Sequence, residues 1–140
     1  MQAITYRDYG EPSVLEVAER PRPEPARHEV LIRVIAAGVN PVDAQLRSGE
    51  LKGFLPGGFP RIPGYDIAGV VESVGRDSPF TVADRVAAFL DHFYAGAYAE
   101  FAACGRNCIV PIPDGISFDE TAAIPLAGST ASSHSATTHT

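Results

Sequence analysis

Apolar and polar residues alternate in short runs along most of the chain, and Gly and Pro break the runs at close intervals. Residues 2–6 (QAITY) and 14–19 (VLEVAE) read as a first pair of strands with turn residues DYGEP between them. The segment 29–39 (EVLIRVIAAGV) sets Val30, Ile32 and Val34 on one face and Leu31 and Ile35 on the other, the pattern of a strand buried on most of both sides. Further strand-like runs follow at 66–74, 85–90, 97–103 and 108–112. Many short strands at regular spacing predict a mainly β chain, a barrel or sandwich.

Two interruptions of this pattern predict helices. In NPVDAQLRSG, Asn40 can cap, Pro41 suits the first helical position and Asp43 sits in the first turn, so a short helix from 41 to about 47 should end near Gly49. In SFDETAAIPLAG, Ser117 and Glu120 stand at capping-box spacing, which starts a helix at Phe118 that breaks or kinks at Pro125. Two other stretches differ. RPRPEPAR (20–27) cannot donate through its prolines and reads as an extended connector, and ELKGFLPGGFPRIPG (50–64) reads as a packed surface loop of the kind that borders a site. From Ser129 to Thr140 only Ser, Thr, Ala and His occur. With nothing bulky enough to fill a core, 129–140 is expected to be a disordered tail after a folded domain at 1–128.

Composition narrows the possible functions. The chain has 140 residues, the size of one domain, with 45% hydrophobic and 20% charged residues, which suits a globular fold. Eleven Lys and Arg against 17 Asp and Glu give a net charge of −6, which argues against nucleic acid and anionic membrane surfaces as partners. The absence of a signal pattern and of a long apolar run leads to the expectation of a cytoplasmic protein with Cys104 and Cys108 reduced.

The stretch PGYDIAGVVESVG (63–75) raises three readings for its glycines. A phosphate loop fails, because Gly64, Gly69 and Gly75 fit neither nucleotide-binding spacing and no helix follows. A metal site lacks ligands: Asp66 and Asn40 are poor company for one another, Cys104 and Cys108 have no second pair, and His28, His92, His134 and His139 stand alone. There remains a Pro63–Gly64 turn and a strand whose Gly69 admits a bulge or the close approach of a neighbouring backbone. That explains the glycines and leaves the Tyr65–Asp66 pair unexplained, except as a carboxylate satisfying backbone donors.

Taken in order, AAGVNPVDAQLRSG, PRIPGYDIAGVVESVG, FTVADRVAAF, GAYAEF and VPIPDGISFDETAAIPLAGSTA resemble the first domain of the medium-chain dehydrogenase/reductase superfamily, in its zinc-independent quinone oxidoreductase branch. The likeness covers residues 1 to about 131. It implies a GroES-like, partly open β-barrel, normally followed by a Rossmann domain that carries NADP(H), with the nicotinamide between the two. In the zinc-dependent relatives a Cys stands at the place of Asn40 and a His-Glu pair at Tyr65–Asp66, and a lobe of four cysteines has no counterpart here, so both zinc sites are expected to be absent.

Position by position, the resemblance assigns Asn40 and Asp43 to the catalytic cleft, Val42 and Thr130 to the cofactor, and Tyr65 and Asp66 to the former metal pocket, with a structural role for Asp66 left open. Asn40 and Asp43 have alternative readings as helix cap and first-turn carboxylate. Gln45 replaces an aromatic that touches the cofactor in several relatives, Ala83 stands where Gly is usual, and Ser129 where Leu is common. No Gly-rich dinucleotide fingerprint occurs in the sequence. The expectation is therefore a substrate-side domain acting on a small quinone or enone. It should be inactive and without tight NADP(H) binding alone, as from truncation or frameshift, or be completed by a separate Rossmann-domain chain. A non-enzymatic binding module and an oligomeric structural barrel are the alternatives.

Overall fold

A computed structural model describes residues 1–91 and 96–137; His92 and His139 lie outside them. The strands are β1 (Gln2–Thr5), β2 (Glu16–Glu19), β3 (Glu29–Gly38), β4 (Asp66–Val74), β5 (Arg85–Phe89), β6 (Phe101–Gly105) and β7 (Ile109–Pro111). The helices are α1 (Pro41–Ser48), α2 (Phe118–Ala122) and α3 (Pro125–Thr137), and Val14 lies in a 3-10 turn rather than in β2.

Antiparallel β1 and β2 pair alone, while β6-β3-β4-β5-β7 form a five-stranded antiparallel sheet. Isolated bridges, Ala3 to Ala99 and Tyr6 to Arg61, tie β1 and the residue after it to the segments that precede β6 and β4. Among the described residues no ladder links β6 to β7, so the barrel is open between them.

The two faces of the central strands carry different cargo. Val30, Ile32, Ile67, Val71, Val86 and Ile109 pack into the main core, whereas Ala68, Ala87, Ile112 and Ala122 form a second, thin core under α2. Small side chains on this second face let α2 come close: a Cβ on Gly38 would lie 2.3 Å from the Ala122 carbonyl oxygen. Gly69 answers a second crowding demand. It pairs with Val34 beside a register shift between Val34 and Ala36, and a Cβ there would lie 2.2 Å from the Arg33 oxygen. The strand reading of 63–75, with a bulge and a close backbone approach together, is what the sheet contains.

The helix signals also took effect. Gly49 ends α1 at φ +93°, Ser117 and Glu120 close a reciprocal capping box on α2, and Pro125 divides α2 from α3. The 50–64 loop packs on the segment after β1 and is braced from within: Phe59 meets Tyr6 and Tyr9 edge-on, and Arg61 Nη2 donates to the Gly57 carbonyl at 3.0 Å.

Two expectations need correction. The run 97–103 becomes strand only from Phe101, because 96–98 bonds to the Pro63–Gly64 turn instead. Residues 129–137, expected to be disordered, belong to α3. Their low bulk denies them a core, and Ser129 to His134 are exposed, yet no Gly or Pro follows Gly128 to stop the helix.

Candidate functional site

Strand register creates the site. Gly38, the last residue of β3, pairs with Asp66, the first of β4, so Asn40 emerges beside the Asp66 carboxylate. The Asn40 amide Nδ2 donates to Asp66 Oδ2 at 2.9 Å. Asp66 also accepts the Leu126 N–H, at 3.1 Å on Oδ1 and 3.2 Å on Oδ2, and so serves the first turn of α3 from another element. Behind Asn40, its backbone N–H donates to Asp43 Oδ2 at 2.8 Å, and the Tyr98 hydroxyl donates to the same oxygen at 3.0 Å. One chain of hydrogen bonds thus runs from Tyr98 through Asp43, Asn40 and Asp66 to Leu126.

Electrostatics follow from burial. Asp66 is fully buried and Asp43 is 6% exposed. Desolvation raises both carboxyls above their ordinary range, against the lowering effect of the hydrogen bonds each accepts. Burial, then the Asp43 charge, pushes the Tyr65 phenol up to about 12, and the same two causes raise Tyr98 further. Both tyrosines remain protonated donors at physiological pH.

Asn40 and Asp66 line a cleft of about 330 Å³ whose other walls include Gly38, Val39, Asp119 and Ala122. Asp43 stands behind Asn40 rather than on the cleft. Tyr65 is buried with its ring 5.8 Å from that of Phe89, and is not part of the cleft lining. Val42 is half-buried on α1 and Thr130 is exposed on α3; neither lines the cleft, and the Thr130 hydroxyl donates to the Leu126 carbonyl at 2.9 Å. A larger cavity, about 580 Å³, lies at Leu90, Cys104 and Cys108 and shares no lining residue with the cleft. Its mixed charges and its high-pKa buried thiol, Cys104, offer no converging chemistry.

The donor set does not fit zinc. At the positions that hold a metal in zinc-dependent relatives, an amide and a carboxylate are bonded to each other, the carboxylate already accepts a second donor, and the remaining residue is a buried neutral phenol. Among the described residues no group of three or more His, Cys, Asp or Glu is arranged to hold a metal ion. Two members of the network, Tyr98 and the Leu126 N–H, escape sequence reasoning. Tyr98 stands in the quoted GAYAEF, but its bond to Asp43 spans 55 residues and leaves no local signal.

Residues 26–114 match the alcohol dehydrogenase GroES-like domain family. The chain is 39% identical over 133 residues to the chloroplast envelope quinone oxidoreductase homolog of Arabidopsis thaliana, covering 94% of this chain and 40% of that protein. It is 40% identical over 128 residues to the quinone oxidoreductase of Mus musculus, covering 90% of this chain and 38% of that one. Among solved structures, Escherichia coli quinone oxidoreductase complexed with NADPH superposes with a TM-score of 0.84 at 30% identity, covering 93% of this chain and 39% of the other. The chain therefore spans about two fifths of the length of these relatives. Among the described residues no helix is long and apolar enough to cross a membrane. By motif order, fold and the match over residues 26–114, the chain belongs to the alcohol dehydrogenase GroES-like domain family, and its likeness there is to quinone oxidoreductases.

Proposed function

We propose that these residues form the substrate-side domain of a zinc-independent, NADPH-dependent quinone oxidoreductase, reducing a quinone or conjugated carbonyl once a dinucleotide-binding domain closes the cleft. The observation that carries the reading is the Asn40–Asp66 hydrogen bond, which occupies with protein polar groups the place of a metal. Without a Lewis acid, a carbonyl in this cleft needs a fixed donor, and Asn40 supplies one. One of its Nδ2 hydrogens is committed to Asp66, and we assign the other to the substrate carbonyl. The Asp66 and Asp43 carboxylates orient that amide and take no proton. When bound, NADPH would supply the hydride, and the proton that completes the two-electron reduction would come from water.

No dinucleotide fingerprint occurs in these 140 residues, and the bulk of dinucleotide affinity comes from a Rossmann domain. The domain by itself is accordingly assigned no turnover. The test compares NADPH oxidation with 1,4-benzoquinone by the 140-residue chain and by a fusion in which its α3 leads into the remainder of the E. coli relative. The fusion should oxidise NADPH only when quinone is present, the chain alone should not, and Asn40→Ala should lower kcat/KM of the fusion about 10- to 100-fold. A fusion that binds NADPH and reduces no quinone refutes the proposal, and leaves the barrel as a binding module.

A further inference from the structure

We propose that Tyr98 is a positioning residue of this site, holding Asn40 in register through Asp43. Four constraints converge on Tyr98. Its backbone N–H donates to the Pro63 carbonyl at 3.1 Å, and its own carbonyl accepts the Ile4 N–H at 2.8 Å, which fixes the residue between β1 and the turn leading into β4. Its ring fills the space beside Gly64: a Cβ on that glycine, whose φ is +93°, would lie 2.5 Å from two ring carbons. Its hydroxyl reaches Asp43 at 3.0 Å.

Asp43 is where this anchoring becomes orientation. Both the Tyr98 hydroxyl and the Asn40 N–H use Oδ2, while Oδ1 is buried with no hydrogen-bonding partner among the described residues. Among the described residues, the carboxylate's rotation is consequently set by these two donors. With the hydroxyl removed, Asp43 is free to turn and offer either oxygen, and the Asn40 backbone loses its fixed acceptor. Because Asn40 sits at the hinge between β3 and α1, in extended geometry at φ −121° and ψ 155°, its amide direction depends on that bond. A hydroxyl on the far side of Asp43 thereby governs the donor facing the cleft, which no direct contact would indicate. The functional part of this inference rests on the assignment of Asn40 to the substrate carbonyl; the structural part does not.

The test is Tyr98→Phe in the full chain, which keeps the ring against Gly64 and deletes one oxygen. It is read by amide NMR without cofactor or substrate. Hydrogen exchange at the Asn40 backbone N–H should accelerate about tenfold, its side-chain NH2 resonances should shift, and core amides such as Ile67 and Val71 should exchange at the parent rate. Asn40 signals and exchange indistinguishable from the parent overturn the proposal. Should the variant not fold, the parent chain decides: a slowly exchanging Tyr98 hydroxyl proton close in space to the Asn40 N–H supports it, and a rapidly exchanging hydroxyl overturns it. Failure of the quinone assay with the Asn40 response intact would remove the substrate assignment and leave the positioning role standing.

Discussion

Replacing Asp66 by Ala removes the acceptor for two donors at once, the Asn40 amide and the Leu126 N–H. Each hydrogen bond to a charged group contributes about 1.5–3 kcal/mol, and a buried donor left unpaired costs about 1–3 kcal/mol. Against this stands the cost of keeping a carboxylate at zero exposure, which burial reveals by raising its pKa. Because the N–H of half-buried Leu126 gains partial access to water in the variant, the net loss should be about 2–4 kcal/mol, a large share of the 5–15 kcal/mol that a domain of this size holds. The pH dependence has a definite sign. A folded-state pKa above the unfolded value means that the native state binds the extra proton, so the Asp66 contribution is complete below the ordinary carboxyl value of about 4 and declines as pH rises through the folded value. The penalty of Asp66→Ala should accordingly be larger at pH 4.5 than at pH 7.5. Urea unfolding of the parent, Asp66→Ala and Asp66→Asn at both pH values measures it, with Asn retaining one acceptor oxygen and losing less. A variant as stable as the parent, or a penalty that grows with pH, would refute the reasoning.

Ala83 adopts φ +77°, the only positive value at a non-glycine position among the described residues, so Ala83→Gly should raise stability by about 0.5–1 kcal/mol, or about 3 °C in thermal unfolding. Gly69→Ala places a methyl 2.2 Å from the Arg33 oxygen inside the central sheet and should destabilise by about 3 kcal/mol or more in the same urea titration. The Cys104 thiol, pushed up to about 12 chiefly by burial, should resist iodoacetamide at pH 8 in the folded chain and react on unfolding, as followed by mass spectrometry.

Features carried by neighbouring residues were legible in the sequence: the α1 and α2 caps, the Gly49 stop and the break at Pro125 all depend on residues within a few positions, and Gly69 announced a close approach without naming the Arg33 backbone that makes it. Features carried by distance were not. Nothing local distinguishes Tyr98 from an ordinary strand tyrosine, and its segment forgoes the sheet because the Gly64 turn, over thirty residues earlier, claims its backbone. Asn40 and Asp66 could be nominated only by analogy with ligand positions, and their direct bond follows from the β3–β4 register, which turns on a bulge. The reading of 129–137 failed for a different reason. A composition that cannot build a core can still continue a helix whose first turn is held by a buried carboxylate and whose hydroxyls bond back along it, as those of Thr130 and Ser133 do.

The Leu126 bond makes α3 a lever. Thirteen residues at 1.5 Å rise give a rod about 20 Å long, fastened near one end to the carboxylate that also restrains the Asn40 amide. A tilt of about 10° at that fastening would displace the far end by about 3 Å, so the Asp66–Leu126 bond helps to set where the exposed later turns of the helix lie.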